Sequence, residues 1–326
     1  MTLPDGSAVL CLVVHHLVMD GVSFAVFTDE LSTVYEAELG GGSVRLPEPT
    51  ASYADYVAWQ RENTDVESRL AYWRDELSGA RVLDLPVDFP RPDKFTAAGA
   101  TSKFVLSAET TTALKAIALR WRCTLSSAMA AIFQVALAVY SGEEDVVIGA
   151  VLNGRQRTEF EDVVGLFVNT VTLRTKVSAT TSFREYLRTA QATMSRAYAH
   201  QEVPFDQVVA ELRPDRRPGR NPLFEVLYIY QGEHAPQIEG TRTLRRLPWL
   251  DVVTRFDIEF RVEVLDDQLV GTFIYRPELF RPETINQLGN LVTRLVELLV
   301  NDPDGSLYGA NLGTGEPAER DVMGLG

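Results

Sequence analysis

Two adjacent histidines, His15 and His16, carry the strongest chemical signal in the sequence, because imidazole titrates close to neutral pH. They end a short apolar run, residues 8–16, which predicts a buried strand. Neighbouring side chains on a strand point to opposite faces, so one imidazole can face a cavity while the other packs inside. The pattern predicts a proton acceptor at this strand end, and a packed structural pair is the alternative.

Asp20 and Gly21 follow the histidine pair after three residues. Gly21 suits a sharp turn, and Asp20 either caps the next helix or holds the turn through a buried ion pair. His16 and Asp20 are four residues apart, which is a metal-ligand spacing on a helix. The preceding strand and Gly21 disfavour that helix, and the sequence shows no third ligand cluster. We therefore expect no metal site.

The elements that must position these residues mix helices and strands along the chain. This order predicts an α/β (α+β) fold. Helical periodicity predicts a first helix that begins at Val22 and ends at the glycines 40–42. It predicts further helices at 52–62, 66–78, 109–122, 126–140, 182–200, 204–212 and 282–300. Alternating or continuous apolar runs predict further strands at 101–107, 145–151, 171–177, 223–231, 258–265 and 268–275.

Charge and cysteine content exclude several classes of protein. The 326 residues include 31 Lys and Arg against 45 Asp and Glu, a net charge of −14, which opposes general affinity for nucleic acid or an anionic membrane. The longest apolar segment, residues 128–140, is shorter than the about 20 residues of a membrane helix. Cys11 and Cys123 form no disulfide framework, so we expect a reducing, cytoplasmic location.

The segment HHLVMDG at 15–21 fits the HHxxxDG signature of condensation domains of nonribosomal peptide synthetases and related acyltransferases. The rest of the chain resembles this family in order, over nearly its whole length. The matching segments are SYADYVAWQRE (52–62), LAYWRDELSGA (70–80), LDLPVDFPRP (83–92), VVIGAVLNGRQRTEFEDVVGLFVNT (146–170), HQEVPFDQVVAEL (200–212), RNPLFEVLYIYQ (220–231), RFDIEF (255–260) and YRPELF (275–280).

The resemblance implies a chloramphenicol acetyltransferase-like sandwich of two lobes with a tunnel between them. It implies that the first lobe is mostly missing and that residues 1–85, which hold the HHxxxDG motif, are its remnant. The proline-rich segment 86–95 is expected to be a linker. Residues 96–300 are expected to form a complete second lobe, and 301–326 a downstream linker.

The resemblance also implies the chemistry, which is amide-bond formation by acyl transfer. His16 matches the catalytic histidine, which would accept a proton from, or position, the acceptor amine that attacks a donor thioester. His15 matches a structural histidine. Asp20 matches one partner of a structural salt bridge, and Arg155 matches the other.

Four further sites match positions of the family. Gly21 would let the backbone approach the tunnel. Asn169 is a candidate tunnel residue, and a structural amide is the alternative. His200 ends a helix and is expected to be structural. An arginine cluster would contact a carrier protein or a phosphopantetheine phosphate, or form a solvated loop; it consists of Arg213, Arg216, Arg217 and Arg220.

The implied partners are upstream and downstream peptidyl carrier proteins, a neighbouring adenylation domain and a first lobe supplied by another chain. The carriers would bring 4′-phosphopantetheine, and the domain itself would bind no cofactor. Three alternatives remain open: an epimerization domain, an ester-forming or coenzyme-A-dependent acyltransferase, and a non-catalytic docking fragment. Gly21 favours condensation over epimerization in this comparison.

Overall fold

The structure is a computed structural model that describes residues 7–63, 65–178, 180–214, 219–232 and 252–307. It confirms the mixed α/β class. The helices of the described residues are α1 (Gly21–Leu39), α2 (Tyr53–Asn63), α3 (Val66–Glu76), α4 (Ala108–Arg120), α5 (Leu125–Ser141), α6 (Phe183–Ala199), α7 (Phe205–Leu212) and α8 (Pro282–Asn301). The strands are β1 (Ala100–Leu106), β2 (Asp145–Leu152), β3 (Asn169–Lys176), β4 (Val226–Gly232), β5 (Ile258–Leu265) and β6 (Gln268–Tyr275).

The six strands form one mixed sheet in the order β1-β6-β5-β4-β2-β3. β4 runs parallel to both β5 and β2, and the remaining neighbours are antiparallel. The strands predicted at 258–265 and 268–275 form an antiparallel hairpin, β5–β6, which turns on Asp266 and Asp267, whose φ values are 47° and 61°. Two residues with positive φ are what a tight two-residue hairpin turn requires.

The main core lies between one face of the sheet and helices α4, α5, α6 and α8. α5 is its central helix, because it is apolar all round and almost entirely buried. The Thr124 side chain caps its first turn by accepting the Ser127 N–H, and Gly142 ends it with φ 76°. The buried Gln134 side chain on α5 donates to the Val146 and Leu173 carbonyls at 3.4 and 3.3 Å.

The strand predicted at 8–16 is wrong. Residues 10–14 form no strand, and Leu10 and Val13 are 68% and 89% exposed. Apolar composition predicted burial, but a strand becomes buried only through neighbouring strands or helices, and within the described part of the chain nothing buries this segment. Helix α1 follows as predicted, but the residues it buries are Ser23 and Thr28 rather than its apolar face.

The proline-rich segment 86–95 does not interrupt the packing. Leu83 and Leu85 before it belong to the main core, as do Trp73 and Leu77 from the end of α3. The backbone N–H groups at 88 and 89 donate to the Leu279 carbonyl at 2.9 and 3.2 Å. Proline removes donors only at its own positions, so the N–H groups at 88 and 89 can still anchor the segment. The division into two lobes at 85 and 96 stays a prediction.

The segment after α8 is also partly packed. Leu307 is buried in the main core, and the Gly305 carbonyl accepts the Phe183 N–H at the start of α6. The downstream linker at 301–326 stays a prediction, and residues 301–307 lie against the main core and the start of α6. Residues 308–326 lie outside the described residues.

Among the helices of the described ranges, no single one is both long and apolar enough to cross a bilayer. The helices α4 and α5 pass the test only as a pair, across a bend of 104°.

Candidate active site

The histidine pair lies on a short 3₁₀ turn, His16–Val18, directly before α1. His15 caps this turn, and its Nδ1 accepts the Leu17 N–H at 3.1 Å. Because Nδ1 accepts here, the neutral ring carries its proton on Nε2. Both histidines are exposed, so the expectation that one imidazole packs inside is wrong: the two residues are not on a strand with two faces.

His16 has the opposite arrangement of donor and acceptor. Its Nδ1 lies 3.0 Å from the Met19 carbonyl oxygen. A carbonyl oxygen can only accept, so Nδ1 must carry the proton of this hydrogen bond, and the neutral ring keeps its lone pair on Nε2. The turn therefore orients an exposed proton acceptor, which is the chemical property expected of His16.

Asp20 links this turn to the body of the fold. Its carboxylate caps α1 by accepting the Ser23 N–H at 2.8 Å, and it accepts the Phe167 N–H at 3.0 Å. Its own backbone N–H donates to the Gly165 carbonyl at 3.1 Å. Asp20 thus performs both roles that the sequence left open, as a helix cap and as a member of a buried ion pair.

Arg155 is the ionic partner of Asp20, as the resemblance implied. Its Nη1 lies 2.7 Å from Asp20 Oδ2 and its Nη2 lies 3.2 Å from Oδ1, in a bidentate pair. The side chains are 2% and 0% exposed. The guanidinium carbon also lies 4.0 Å from the centre of the Phe167 ring, and Nη2 donates to the Val163 carbonyl at 3.0 Å.

The ionisation of Asp20 follows from this environment. Burial raises the pKa of the carboxyl, but the hydrogen bonds from Arg155 and Ser23 outweigh it, and the pKa lies below its ordinary value. The carboxylate is therefore charged at neutral pH. Its hydrogen bonds go to Ser23, Arg155 and Phe167, so it connects the start of α1 to the loops at 155 and 167.

Two glycines shape the loops around this pair. Gly154 has φ 67°, and a Cβ there would lie 1.9 Å from the Phe167 carbonyl oxygen. Gly165 lies so close to Tyr53 that a Cβ would be 2.2 Å from its ring. Gly21, by contrast, is the first residue of α1, and a Cβ there would meet nothing within 4 Å of the described structure. The sharp turn predicted at Gly21 is therefore wrong.

Ser23 is a site residue that the sequence reasoning missed. Its buried Oγ lies 2.8 Å from Asp20 Oδ1 and 2.9 Å from Arg155 Nη2. It also lies 2.9 Å from the Gly165 carbonyl oxygen and 3.0 Å from the Gly165 nitrogen. The available signal was its position in the first turn after an aspartate cap, where a polar side chain often supports the helix start.

Asn169 lines a cavity of about 190 Å³ next to this pair. Its Nδ2 donates to the Gln201 and Val203 carbonyls, both at 2.7 Å. Its Oδ1 accepts the Thr170 and Phe205 N–H groups at 2.9 and 3.2 Å. These four contacts use both ends of the amide, so Asn169 joins the start of β3 to the segment before α7. His16 is not among the residues that line this cavity.

His200 and Arg220 make contacts away from the Asp20–Arg155 pair. The His200 ring stacks on Tyr72 with centroids 3.8 Å apart, and its Nδ1 lies 2.7 Å from the Arg196 carbonyl oxygen. Arg213 ends α7 with φ 45°, while Arg220 forms an ion pair with Asp84 at 2.7 Å. Arg216 and Arg217 lie outside the described residues. Within the ranges that the structure covers, no group of three His, Cys, Asp or Glu side chains is arranged to hold a metal.

Several curated proteins are similar in sequence to this chain. A linear gramicidin synthase of Brevibacillus parabrevis is 38% identical over 303 residues, which are 90% of this chain and 4% of that protein. Phosphinothricin tripeptide synthetase PhsC of Streptomyces viridochromogenes is 35% identical over 314 residues, 94% of this chain and 29% of that protein. The chain thus spans a minor part of the length of these relatives.

Solved structures share the fold. The X-domain from teicoplanin biosynthesis superimposes with a TM-score of 0.78 at 23% identity, covering 91% of this chain and 70% of that one. SgcC5 from Streptomyces globisporus superimposes with a TM-score of 0.74 at 26% identity, covering 90% and 69%. The family model of the condensation domain matches residues 1–317. The chain therefore belongs to the condensation domain family.

Proposed function

We propose that this chain catalyses the general reaction of condensation domains, which is amide-bond formation, on two carrier-bound substrates. The donor is an acyl or peptidyl thioester, and the acceptor is the amine of an aminoacyl thioester. The observation that carries this proposal is the turn at His15–Asp20. There, an exposed imidazole is oriented with Nε2 as its proton acceptor, and a buried ion pair holds the turn.

The proposed step needs no covalent enzyme intermediate. The acceptor nitrogen attacks the thioester carbonyl, the new C–N bond forms and the C–S bond breaks. His16 Nε2 takes the proton that the amine loses and returns it to the leaving thiolate, so the thiol and the amide are the products. Much of the acceleration would come from holding two tethered substrates in contact.

We propose that carrier proteins on both sides supply the phosphopantetheine arms as part of the substrates, and that the domain holds no cofactor of its own. A neighbouring adenylation domain would load the acceptor carrier. The multidomain synthetases among the relatives support this arrangement. The two free cysteines, Cys11 and Cys123, support a cytoplasmic location.

We propose further that the exposed apolar row of Leu10, Val13, Leu17 and Val18 packs against the first lobe of the fold, which supplies the opposite wall of the tunnel. Side chains of this size are normally buried, and a contiguous exposed set is typical of an interaction surface. The row leads directly into the histidine turn, so the contact would close the site around His16.

The test is product formation from a donor carrier loaded with an acyl thioester and an acceptor carrier loaded with an amino acid. The chain is assayed alone and with a separately supplied first lobe, and the product is identified by mass spectrometry. We expect amide only when both lobes are present. Inversion of one aminoacyl centre without bond formation would indicate an epimerization domain. Binding of the lobe with no chemistry would indicate the docking role, and full turnover by the chain alone would contradict the proposed contact.

A further inference from the structure

The loop that carries Arg155 begins with an asparagine followed by a glycine, Asn153 and Gly154, which is the one Asn-Gly step in the 326 residues. In such a step the backbone nitrogen of the glycine can attack the side-chain carbonyl carbon of the asparagine, because glycine has no side chain to obstruct the approach. The two groups are neighbours in the chain, so the attack is intramolecular. Its rate in a folded protein depends on how the loop holds both groups.

The side chain of Asn153 is folded back along this loop. Its Oδ1 accepts the Arg155 N–H at 3.2 Å, which closes a hydrogen-bonded ring over the intervening peptide group of Gly154. The same N–H donates to the oxygen on which negative charge develops when the Gly154 nitrogen attacks Cγ, as the donors of an oxyanion hole do. Asn153 is exposed, so water can reach its amide.

The attacking nitrogen is also available. Among the described residues, Gly154 N donates no hydrogen bond, although the Gly154 carbonyl accepts the Gln156 N–H at 3.1 Å. The exposed Asn290 offers a contrast, because Leu291 after it lies inside α8. In a helix the backbone nitrogen donates to the carbonyl four residues earlier, and this hydrogen bond must break before the nitrogen can attack.

We propose that Asn153 is a site of spontaneous deamidation in the folded protein, by way of a cyclic imide with Gly154. The Gly154 nitrogen gives up its proton and bonds to Cγ, and the Cγ–Nδ2 bond breaks to release ammonia. Water then opens the imide. Addition at Cγ leaves an aspartate, whereas addition at the backbone carbonyl leaves an isoaspartate, in which the chain runs through the side chain. The sum is amide plus water to carboxylate plus ammonium, with no oxidant or cofactor, and the assignment does not depend on the proposed reaction.

The Asp20-Gly21 step at the same ion pair has the same route to an imide but is held against it. Both oxygens of its carboxylate are engaged, by groups of Ser23, Arg155 and Phe167. The lowered pKa of the carboxyl keeps it charged, and a carboxylate resists attack because the attack would add a second negative charge. The two steps therefore give a comparison within one site.

The isoaspartate product would disturb the ion pair. It inserts an extra carbon into the backbone directly before Gly154, where a Cβ would already lie 1.9 Å from the Phe167 carbonyl oxygen. Arg155 comes next in the chain, so the added length displaces its guanidinium from Asp20. The aspartate product keeps the backbone length and an oxygen that can accept the Arg155 N–H.

The test is incubation of the full 326-residue chain at pH 8, folded and in urea, followed by trypsin digestion and mass spectrometry with enzymatic labelling of isoaspartate. The peptide that ends at Arg155 reports on Asn153, and the peptide that ends at Arg294 reports on Asn290. In the folded chain we expect conversion at Asn153 at least about ten-fold faster than at Asn290, where a helical hydrogen bond must first open. Isoaspartate at residue 20 should form only in urea.

The matched variants are Asn153→Gln and Asn290→Gln. The first keeps an amide but lengthens the side chain by a methylene, so it should abolish the release of ammonia from this peptide, and the second should leave conversion at Asn153 unchanged. Asn153→Asp supplies the aspartate product with a normal backbone. It should melt close to wild type, while the isoaspartate form, separated by ion exchange, should melt at least about 4 °C lower. Circular dichroism verifies that each protein folds.

Three results would overturn the assignment. Conversion at residue 153 in urea but not in the folded chain would mean that the loop protects the amide. Equal conversion at Asn153 and Asn290 in the folded chain would mean that the loop geometry has no effect. An isoaspartate form that melts with Asn153→Asp would disconnect the modified backbone from the ion pair.

Discussion

Replacing one member of the Asp20–Arg155 pair should destabilise the whole fold strongly. Asp20→Asn keeps an oxygen to accept the Ser23 N–H but leaves the Arg155 charge buried without its counter-ion. Arg155→Met keeps the apolar stem of the side chain but leaves the Asp20 carboxylate buried without its counter-ion. Because both side chains are at most 2% exposed, water cannot compensate either charge.

The expected magnitude follows from that burial. Removing one partner of a buried pair costs about 3–5 kcal/mol. At about 2–4 °C per kcal/mol, a value typical of large domains, this lowers the melting temperature by about 6–20 °C. The double variant Asp20→Asn with Arg155→Met removes both charges together, so it should lose much less than the sum of the single losses.

The assay is chemical and thermal unfolding of the four proteins in a double-mutant cycle, with a matched exposed pair as control. Arg45 and Glu48 are 2.6 Å apart, against 2.7 Å in the buried pair, but their side chains are 86% and 80% exposed. Arg45→Met should leave the free energy of unfolding nearly unchanged, since exposed pairs contribute little. Additive losses in the cycle, or a similar loss at Arg45, would refute the reasoning that burial gives the pair its effect.

Further predictions concern pH, thiols and glycines. Because the pKa of Asp20 is lowered in the folded state, its charge stabilises the fold above the unfolded-state pKa of about 3.9, and this stability is lost as the pH falls through the folded-state pKa. Unfolding curves should therefore show a difference in stability between wild type and Asp20→Asn that becomes smaller below about pH 4. Burial raises the pKa of Cys123 to about 11, so iodoacetamide at pH 8 should modify exposed Cys11 first by mass spectrometry; equal native rates would contradict this. Gly154→Ala should greatly reduce folded yield and Gly21→Ala should not, because only the first clashes with backbone; similar yields would contradict the geometry.

Local signals in the sequence predicted much of the fold. The periodicity of α5 and α8, the alternation of β5 and β6 and their Asp266-Asp267 turn are properties of short segments, and each element is present close to the expected bounds. The segment 8–16 was mispredicted because burial of an apolar strand depends on distant neighbours, which its own residues do not specify.

The sequence predicted those residues of the site that belong to a recognisable motif. The pairing of Asp20 with Arg155 came from the resemblance, since nothing local connects two residues that are 135 positions apart. The role of Ser23 and the cavity that Asn169 lines depend on the close approach of α1, α2 and the loops at 153–168 and 201–204. Those approaches are set by tertiary packing, which no single segment encodes.

The proposed role of His16 as the base of amide formation can be measured through the rate of His16→Asn. The asparagine amide can still donate to the Met19 carbonyl, so the turn is preserved while the proton acceptor is lost. In single-turnover assays with loaded carriers and both lobes present, we expect the rate of amide formation to fall by about 10²–10⁴, with unfolding curves unchanged. A folded His16→Asn protein that forms amide within about ten-fold of the wild-type rate would contradict the claim, since general acid–base catalysis contributes more than that.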